Sequence, residues 1–206
     1  MSEPVKVNVV SYGGVKPGLV VVGNSRNGGR NTLFDAATVT NGALYFQNQV
    51  NLTSWDVDLP VLEDANQMFA DCSNLTSFNA DLPKLTGANA MFSPCASLTS
   101  FSANLPELEN GSFMFQGCAR LTSFNADLPK LNTGRDMFNS CALNEDSVLR
   151  VLNSISTYTE GTHSLNIGKR TNFKDSATIA ALLGTTTPIA ASTAYSYKGW
   201  TITVKS

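Results

Sequence analysis

The sequence predicts an α/β solenoid, in which a unit of 23 residues is stacked on itself and contributes one strand to a parallel β-sheet on one face. The pair Met-Phe, the cysteines and the segment Leu-Thr-Ser-Phe all recur with this step. A short constant period is typical of one supersecondary unit whose copies share a hydrophobic face. The repeated methionines and cysteines are Met68, Met91, Met114 and Met137, and Cys72, Cys95, Cys118 and Cys141.

Each unit contains a short strand with one buried face. In one copy Phe78, Ala80 and Leu82 alternate with Asn79 and Asp81, and a period of two indicates a strand that is apolar on one side. A proline follows every strand and ends its ladder, because proline has no amide hydrogen. The chain then returns through small residues to the Met-Phe pair, which we expect to fill the interior. The prolines are Pro60, Pro83, Pro106 and Pro129.

The repeated motif Met-Phe-x2-Cys-x2-Leu-Thr-Ser-Phe resembles the BspA-like class of leucine-rich repeats found on bacterial surface proteins. The resemblance covers residues 43–143 and implies a leucine-rich repeat fold and an adhesive role. The first copy is degraded, with Tyr45-Phe46 in the Met-Phe place and Gln49 in the cysteine place. Terminal repeats often depart from the consensus because they face solvent or a cap.

Three regions are predicted: an N-terminal β-hairpin and cap at residues 1–42, the solenoid at 43–143, and a C-terminal α/β cap at 144–206. The hairpin is expected to pair strand-like residues 5–10 and 18–23 through a turn at 11–17. The glycine-rich segment after Gly23 lacks the Gly-Lys-Ser/Thr ending of a phosphate loop, which favours a plain loop.

The C-terminal region is predicted to alternate helices and strands. A first helix is capped by Asn144, and a second is capped by Asp175 and ends near Gly184. This order resembles C-terminal segments of leucine-rich repeat proteins from gut bacteria and their phages. It would close the open edge of the sheet, which otherwise invites aggregation. The remaining predicted elements are a strand at 164–167, a third helix at 188–198 and a strand at 200–204.

Composition and motifs exclude several functional classes. The net charge of −2 gives no electrostatic basis for binding nucleic acid or an anionic membrane. The apolar runs are too short to span a bilayer, and no signal-peptide pattern opens the chain. His163 is the only histidine, no nucleophile motif accompanies it, and we interpret it as a surface residue. The sequence therefore predicts a protein that is not an enzyme.

The even spacing of the cysteines disfavours a zinc site, because zinc ligands come in close pairs such as Cys-x2-Cys. In a solenoid they form a column, with one cysteine in each winding. We interpret this column as a buried ladder of small apolar side chains. Disulfides between adjacent rungs stay open as an alternative, since a spacing of about 4.8 Å lies within disulfide range.

The outward strand face is the candidate interaction face. Neighbouring carboxylates such as Asp58 and Asp81 repel each other unless they are solvated or bridged, and a calcium ion would bridge them; no other cofactor is expected. A solvated polar face with side-chain hydrogen bonds is the plainer interpretation. The eight residues of this face are Asp56, Asp58, Asn79, Asp81, Ser102, Asn104, Asn125 and Asp127.

These observations predict a non-enzymatic structural or binding module displayed on a phage particle or a bacterial surface, where it mediates adhesion or assembly. A phage protein leaves the cell by lysis and needs no export signal. The expected partners are a protein or glycan on a host or neighbouring surface, other virion or surface proteins, and further copies of the chain. The alternative is a cytosolic protein-interaction scaffold, which suits unpaired cysteines because that compartment is reducing.

Overall fold

The computed structural model describes residues 8–9, 19–23 and 31–205. At the N-terminal end, three strands form an antiparallel sheet in the order β1 (Asn8–Val9), β2 (Leu19–Gly23) and β3 (Asn31–Asp35). The predicted antiparallel pair is present, with Asn8 opposite Val21, and β3 extends it by a strand that the sequence analysis missed. The predicted turn at 11–17 and the loop after Gly23 lie outside the described residues.

The solenoid carries a parallel four-stranded sheet in sequence order. Its register places Phe78 beside Trp55 on one side and Phe101 on the other, so equivalent residues of successive units are direct neighbours. The predicted solenoid with 23-residue units is therefore confirmed. The strands are β4 (Ser54–Trp55), β5 (Ser77–Asn79), β6 (Ser100–Ser102) and β7 (Ser123–Asn125).

A second column of backbone contacts runs along the opposite arm of each winding. The amides of Gly42, Leu44 and Phe46 donate to carbonyl oxygens of the next winding at 2.8–3.0 Å, and later windings repeat the pattern. Each winding is thus held to its neighbours on two sides. The isolated parallel bridges of this column join Asn41, Asp64, Gly87, Asn110 and Thr133 in turn.

Two ladders of aromatic rings fill the interior between the two columns. Phe69 and Phe92 stack with centroids 5.4 Å apart and planes 4° apart, and Phe78 and Phe101 stack at 5.3 Å and 12°. Rings of one ladder meet rings of the other edge to face, an arrangement that aromatic quadrupoles favour. The Met-Phe pairs are fully buried, as predicted. The ladders are Phe46, Phe69, Phe92, Phe115 and Phe138, and Trp55, Phe78, Phe101 and Phe124.

The C-terminal segment contains two helices and a mixed sheet in the order β8 (His163–Lys169), β10 (Trp200–Lys205) and β9 (Ala194–Tyr197). Strand β8 joins the solenoid through a parallel bridge between Leu165 and Gly134, so it continues the second column of contacts. The helical elements are α1 (Glu145–Ser154), a 3-10 turn (Arg170–Asn172) and α2 (Ala177–Leu182).

The predicted N-cap of α1 is confirmed, because the Asn144 side chain accepts a hydrogen bond from the Ser147 amide at 2.9 Å. Two other predictions for the C-terminal segment were wrong. Ser176, not Asp175, caps α2, because its hydroxyl accepts from the Ile179 amide at 3.1 Å. The third helix is absent. Strand β9 occupies its C-terminal part and turns back into β10 through Lys198 and Gly199, which both have positive φ, the conformation that a two-residue hairpin turn requires.

Helix α1 closes the open edge of β7 with serine hydroxyls. Ser147 Oγ accepts from the Phe124 amide at 2.9 Å, and Ser154 Oγ accepts from the Leu128 amide at 3.1 Å. The two serines are seven residues apart, which is about two helical turns, so both project from one side of α1. Two amides of the last winding, one in β7 and one after it, are thereby satisfied, and the edge is covered by a helix.

Lys198 holds the C-terminal end of α1. Its Nζ donates to the carbonyls of Leu152, Asn153 and Ile155 at 3.0–3.2 Å. A cation at this end also opposes the helix dipole. We expect Lys198→Met, which keeps the apolar stem, to lower the free energy of unfolding by about 1–3 kcal/mol, measured by urea denaturation. Lys84→Met at an exposed position is the matched control, and an equal effect of the two changes would contradict this role.

Candidate binding groove

The eight residues predicted for the interaction face do lie together. They form two rows across β4–β7 and line a depression with a volume of about 500 Å³, together with three alanines and Arg150. We call this depression the strand-face groove. One row lies at the C-terminal ends of the strands and the other lies two residues further along the chain; the parallel register repeats both rows in every winding. They are Asp56, Asn79, Ser102 and Asn125, and Asp58, Asp81, Asn104 and Asp127.

Side-chain hydrogen bonds link successive windings at this face. The Asp58 carboxylate accepts from the Asp81 backbone amide at 3.0 Å, and Asn125 donates to the Ser102 hydroxyl at 3.2 Å. The Asp58 carboxylate thus has a hydrogen-bond donor in the neighbouring winding. Across the part of the chain that the structure describes, no group of three or more His, Cys, Asp or Glu residues is placed to hold a metal ion.

Arg150 was not predicted, although it belongs to the groove. It follows Asp127 by the repeat step of 23 residues, and its Nη1 lies 2.9 Å from Asp127 Oδ1. The pair is largely exposed, so it contributes at most about 1 kcal/mol to stability. Its effect is to place a cation where the acidic row meets α1. Extending the 23-residue step past the last repeat would have found it.

A second depression, of about 680 Å³, lies between β7 and α1. It shares Asn125, Asp127 and Arg150 with the strand-face groove, so the two form one continuous surface. Asp146 and Asn153 of α1 line its far side. The exposed groups along the whole surface are carboxylates, amides and hydroxyls with one guanidinium, which suits contact with a polar partner.

His163 joins the last repeat to the C-terminal cap. Its ring stacks on Tyr158 with centroids 3.7 Å apart. Nδ1 lies 2.8 Å from the Asn132 carbonyl oxygen and Nε2 lies 3.0 Å from the Glu160 carbonyl oxygen. Because both ring nitrogens face backbone carbonyls, the side chain has a structural role at this junction. The residue is half-buried and lies outside the groove.

The cysteines form the predicted buried ladder and are free of disulfides. Each Sγ donates to the carbonyl of the phenylalanine 26 residues earlier, at 3.1–3.2 Å. Burial raises the pKa of Cys72 and of Cys118 to about 12. Burial also raises the pKa of Cys95 and of Cys141 well above the usual thiol value. Thiolates, which are the reactive form of cysteine, are therefore scarce at neutral pH.

We expect all four thiols to resist iodoacetamide in the folded protein at about pH 8. With the pKa of Cys72 near 12, only about one thiol in 10⁴ is ionised there, and burial blocks access. Mass spectrometry should find no adduct on the folded protein and four adducts in urea. As a control, a Ser73→Cys variant adds an exposed thiol, which should react rapidly in the folded protein. Labelling of Cys95 at a comparable rate would contradict the burial of the cysteine ladder.

Among the described residues, the helices are all too short or too polar to cross a membrane.

Comparison with known proteins agrees with this geometry. The chain matches the BspA type leucine-rich repeat region, in six copies, over residues 39–164, which is more than half of its length. The match extends past residue 143, so α1 and the start of β8 lie within it. No curated protein and no solved structure matches the chain. By its repeat, its register and this match, the chain belongs to the BspA type leucine-rich repeat family.

Proposed function

We propose that the protein is a non-enzymatic binding module displayed on a phage particle or a bacterial surface, where it mediates adhesion or assembly. Leucine-rich repeats are generally binding modules, and this chain carries the family repeat over residues 39–164. The observation that carries the proposal is the continuous polar surface from β4 to α1, on which eight side chains are arranged in two regular rows.

The chemistry of the described residues supports a binding role. His163, the only histidine, is held between two backbone carbonyls, and the raised pKa of each buried thiol keeps the cysteines unreactive. The groove repeats similar groups at about 4.8 Å intervals. Such a surface favours many weak contacts, whose combined strength grows when copies are presented together.

A cytosolic protein-interaction scaffold is the second candidate. The free cysteines favour it, because reduced thiols persist in the cytosol whereas oxidising compartments promote disulfides. Burial of the thiols gives an alternative reason for their reduced state. Both candidates use the same groove, and they differ in where the protein resides.

Fractionation of the native source tests the location. An antibody against the purified chain should detect it in virus particles or on the cell surface, and detection in the cytosol alone would overturn the proposed display.

Beads coated with the protein test adhesion to those particles or cells. Asn104→Trp fills the strand-face groove and should abolish attachment, whereas Ala96→Trp, at an exposed position outside the groove, should leave it unchanged. Equal attachment by both variants would show that the groove is not the adhesive surface.

A further inference from the structure

We propose that the strand-face groove binds an extended peptide segment rich in lysine or arginine. The inference rests on the proposed binding function and adds the chemistry of the partner. It predicts that the basic side chains of the segment lie over β4 and β5, where the groove is most acidic. The backbone of the segment lies across the strands, along the two rows of polar side chains.

The first support is the distribution of charge. The groove contains four aspartates and one arginine, so its net charge is −3, whereas the whole chain carries only −2. Outside the groove, residues 31–205 contain eleven acidic and nine basic side chains, so the groove holds three of the five net negative charges of this part of the chain. Such a surface attracts cationic segments and speeds their association.

The second support is that the two ends of the groove differ in charge. Asp127 is paired with Arg150 at the α1 end, whereas Asp56 and Asp81 are exposed at the β4–β5 end. The Asp58 carboxylate lies between them and bonds the Asp81 amide. Arg150 repels a cation that approaches the α1 end. A basic segment is therefore attracted to one end of the groove and has a preferred position.

The third support is that the lining suits a peptide better than a sugar or a metal ion. The rings on this sheet, from Trp55 to Phe124, are buried, so the groove lacks the aromatic platform on which a sugar ring would stack. The exposed side chains of Asn79 and Asn104 offer both donors and acceptors to a peptide backbone. Within the described residues, the carboxylates are not grouped as a metal site.

The probe is a fluorescein-labelled octapeptide of alternating lysine and serine, measured by fluorescence anisotropy at low salt. We expect the native chain to bind it and the triple variant Asp56→Asn, Asp58→Asn, Asp81→Asn to bind at least about tenfold more weakly. Asparagine keeps the shape of each side chain and the acceptor that bonds the Asp81 amide. The matched control Glu63→Gln, Glu109→Gln, Glu160→Gln removes three charges outside the groove and should change affinity less than about twofold.

Arg150→Gln tests the same inference through an expected gain of affinity instead of a loss. It removes the cation and releases Asp127, so the lysine peptide should bind about two- to threefold more tightly. A peptide with glutamate in place of lysine should not bind, and unfolding midpoints should show that all variants are folded. The inference is overturned if the groove and control triple variants bind alike, if the glutamate peptide binds as well, or if the lysine peptide does not bind.

Failure of this inference is distinguishable from failure of the proposed function. Bead attachment that Asn104→Trp abolishes, without binding of the lysine peptide, would sustain an adhesive groove and reject the basic partner. Peptide binding without attachment would sustain the partner chemistry and reject adhesion.

Discussion

Replacing Phe101 by alanine is expected to lower the free energy of unfolding by about 3–5 kcal/mol. The side chain is fully buried. Its ring stacks on Phe78 and Phe124 at 5.3 and 5.5 Å and meets Phe92 and Phe115 edge to face. Alanine leaves a cavity in the middle of both ladders, which neighbouring windings cannot fill because their rings are held by their own stacks. Urea denaturation followed by circular dichroism measures the change.

Asn79→Ala is the matched control for this prediction, since Asn79 lies on the outward face of the neighbouring strand and is exposed. We expect its effect to stay within about 0.5 kcal/mol. Equal, small effects from Phe101→Ala and Asn79→Ala would contradict the assignment of inside and outside on which the groove depends. A large loss of stability in Phe101→Ala alone would support that assignment.

Gly199→Ala is expected to cost about 2–4 kcal/mol and to loosen the β9–β10 hairpin. Gly199 has a φ of +80°, a backbone conformation that residues with a Cβ atom adopt only at a cost in free energy. A Cβ atom at this position would overlap the carbonyl oxygen of Tyr158. That oxygen cannot move freely, because the Tyr158 amide donates to the Lys198 carbonyl at 2.9 Å. Thermal unfolding and hydrogen exchange of β10 amides measure the loss.

Gly184→Ala separates the two causes of that cost. Gly184 also has a positive φ, of +65°, but a Cβ atom there meets nothing within 4 Å. It should cost only about 1 kcal/mol, from backbone strain alone. If the two alanine variants were equally destabilised, the close approach of Gly199 to Tyr158 would not matter for stability.

The repeat could be predicted from the sequence because every unit repeats the same pattern. A single unit with Phe78, Ala80 and Leu82 on one side indicates a strand only weakly. Four aligned copies show the same apolar and polar positions each time, and this agreement assigned all eight groove residues to the outward face. The division into three regions at residues 42 and 143 stays a prediction, although the cap and the solenoid share the column of bridges through Leu165.

The wrong and missing predictions fall where tertiary contacts decide the local structure. Pro188 is a good first residue for a helix, yet Tyr195 and Trp200 are buried on one side of a hairpin, and packing outweighed that preference. Arg150 joins the groove through the orientation of α1. The 23-residue step from Asp127 marks the position of Arg150, but the orientation of α1 depends on contacts of Ser147 and Ser154 with the last winding, which the sequence pattern does not show.

Each return arm also contains a left-handed residue that the sequence did not signal, because the position is not occupied by glycine. Their φ values lie between 51° and 62°. The strain of about 1 kcal/mol at each is tolerated because backbone bonds to the next winding hold the turn. The residues are Leu44, Gln67, Ala90, Phe113 and Asp136.

The attachment of each winding only to the windings before and after it has a mechanical consequence. Tension that draws the two ends of the molecule apart acts along the stacking axis, where each coil contributes only about 5 Å of length. A coil that peels away frees 23 residues, or about 80 Å of extended chain. Under load the molecule therefore lengthens in equal steps, and a tether built from such coils absorbs a pull gradually before it breaks.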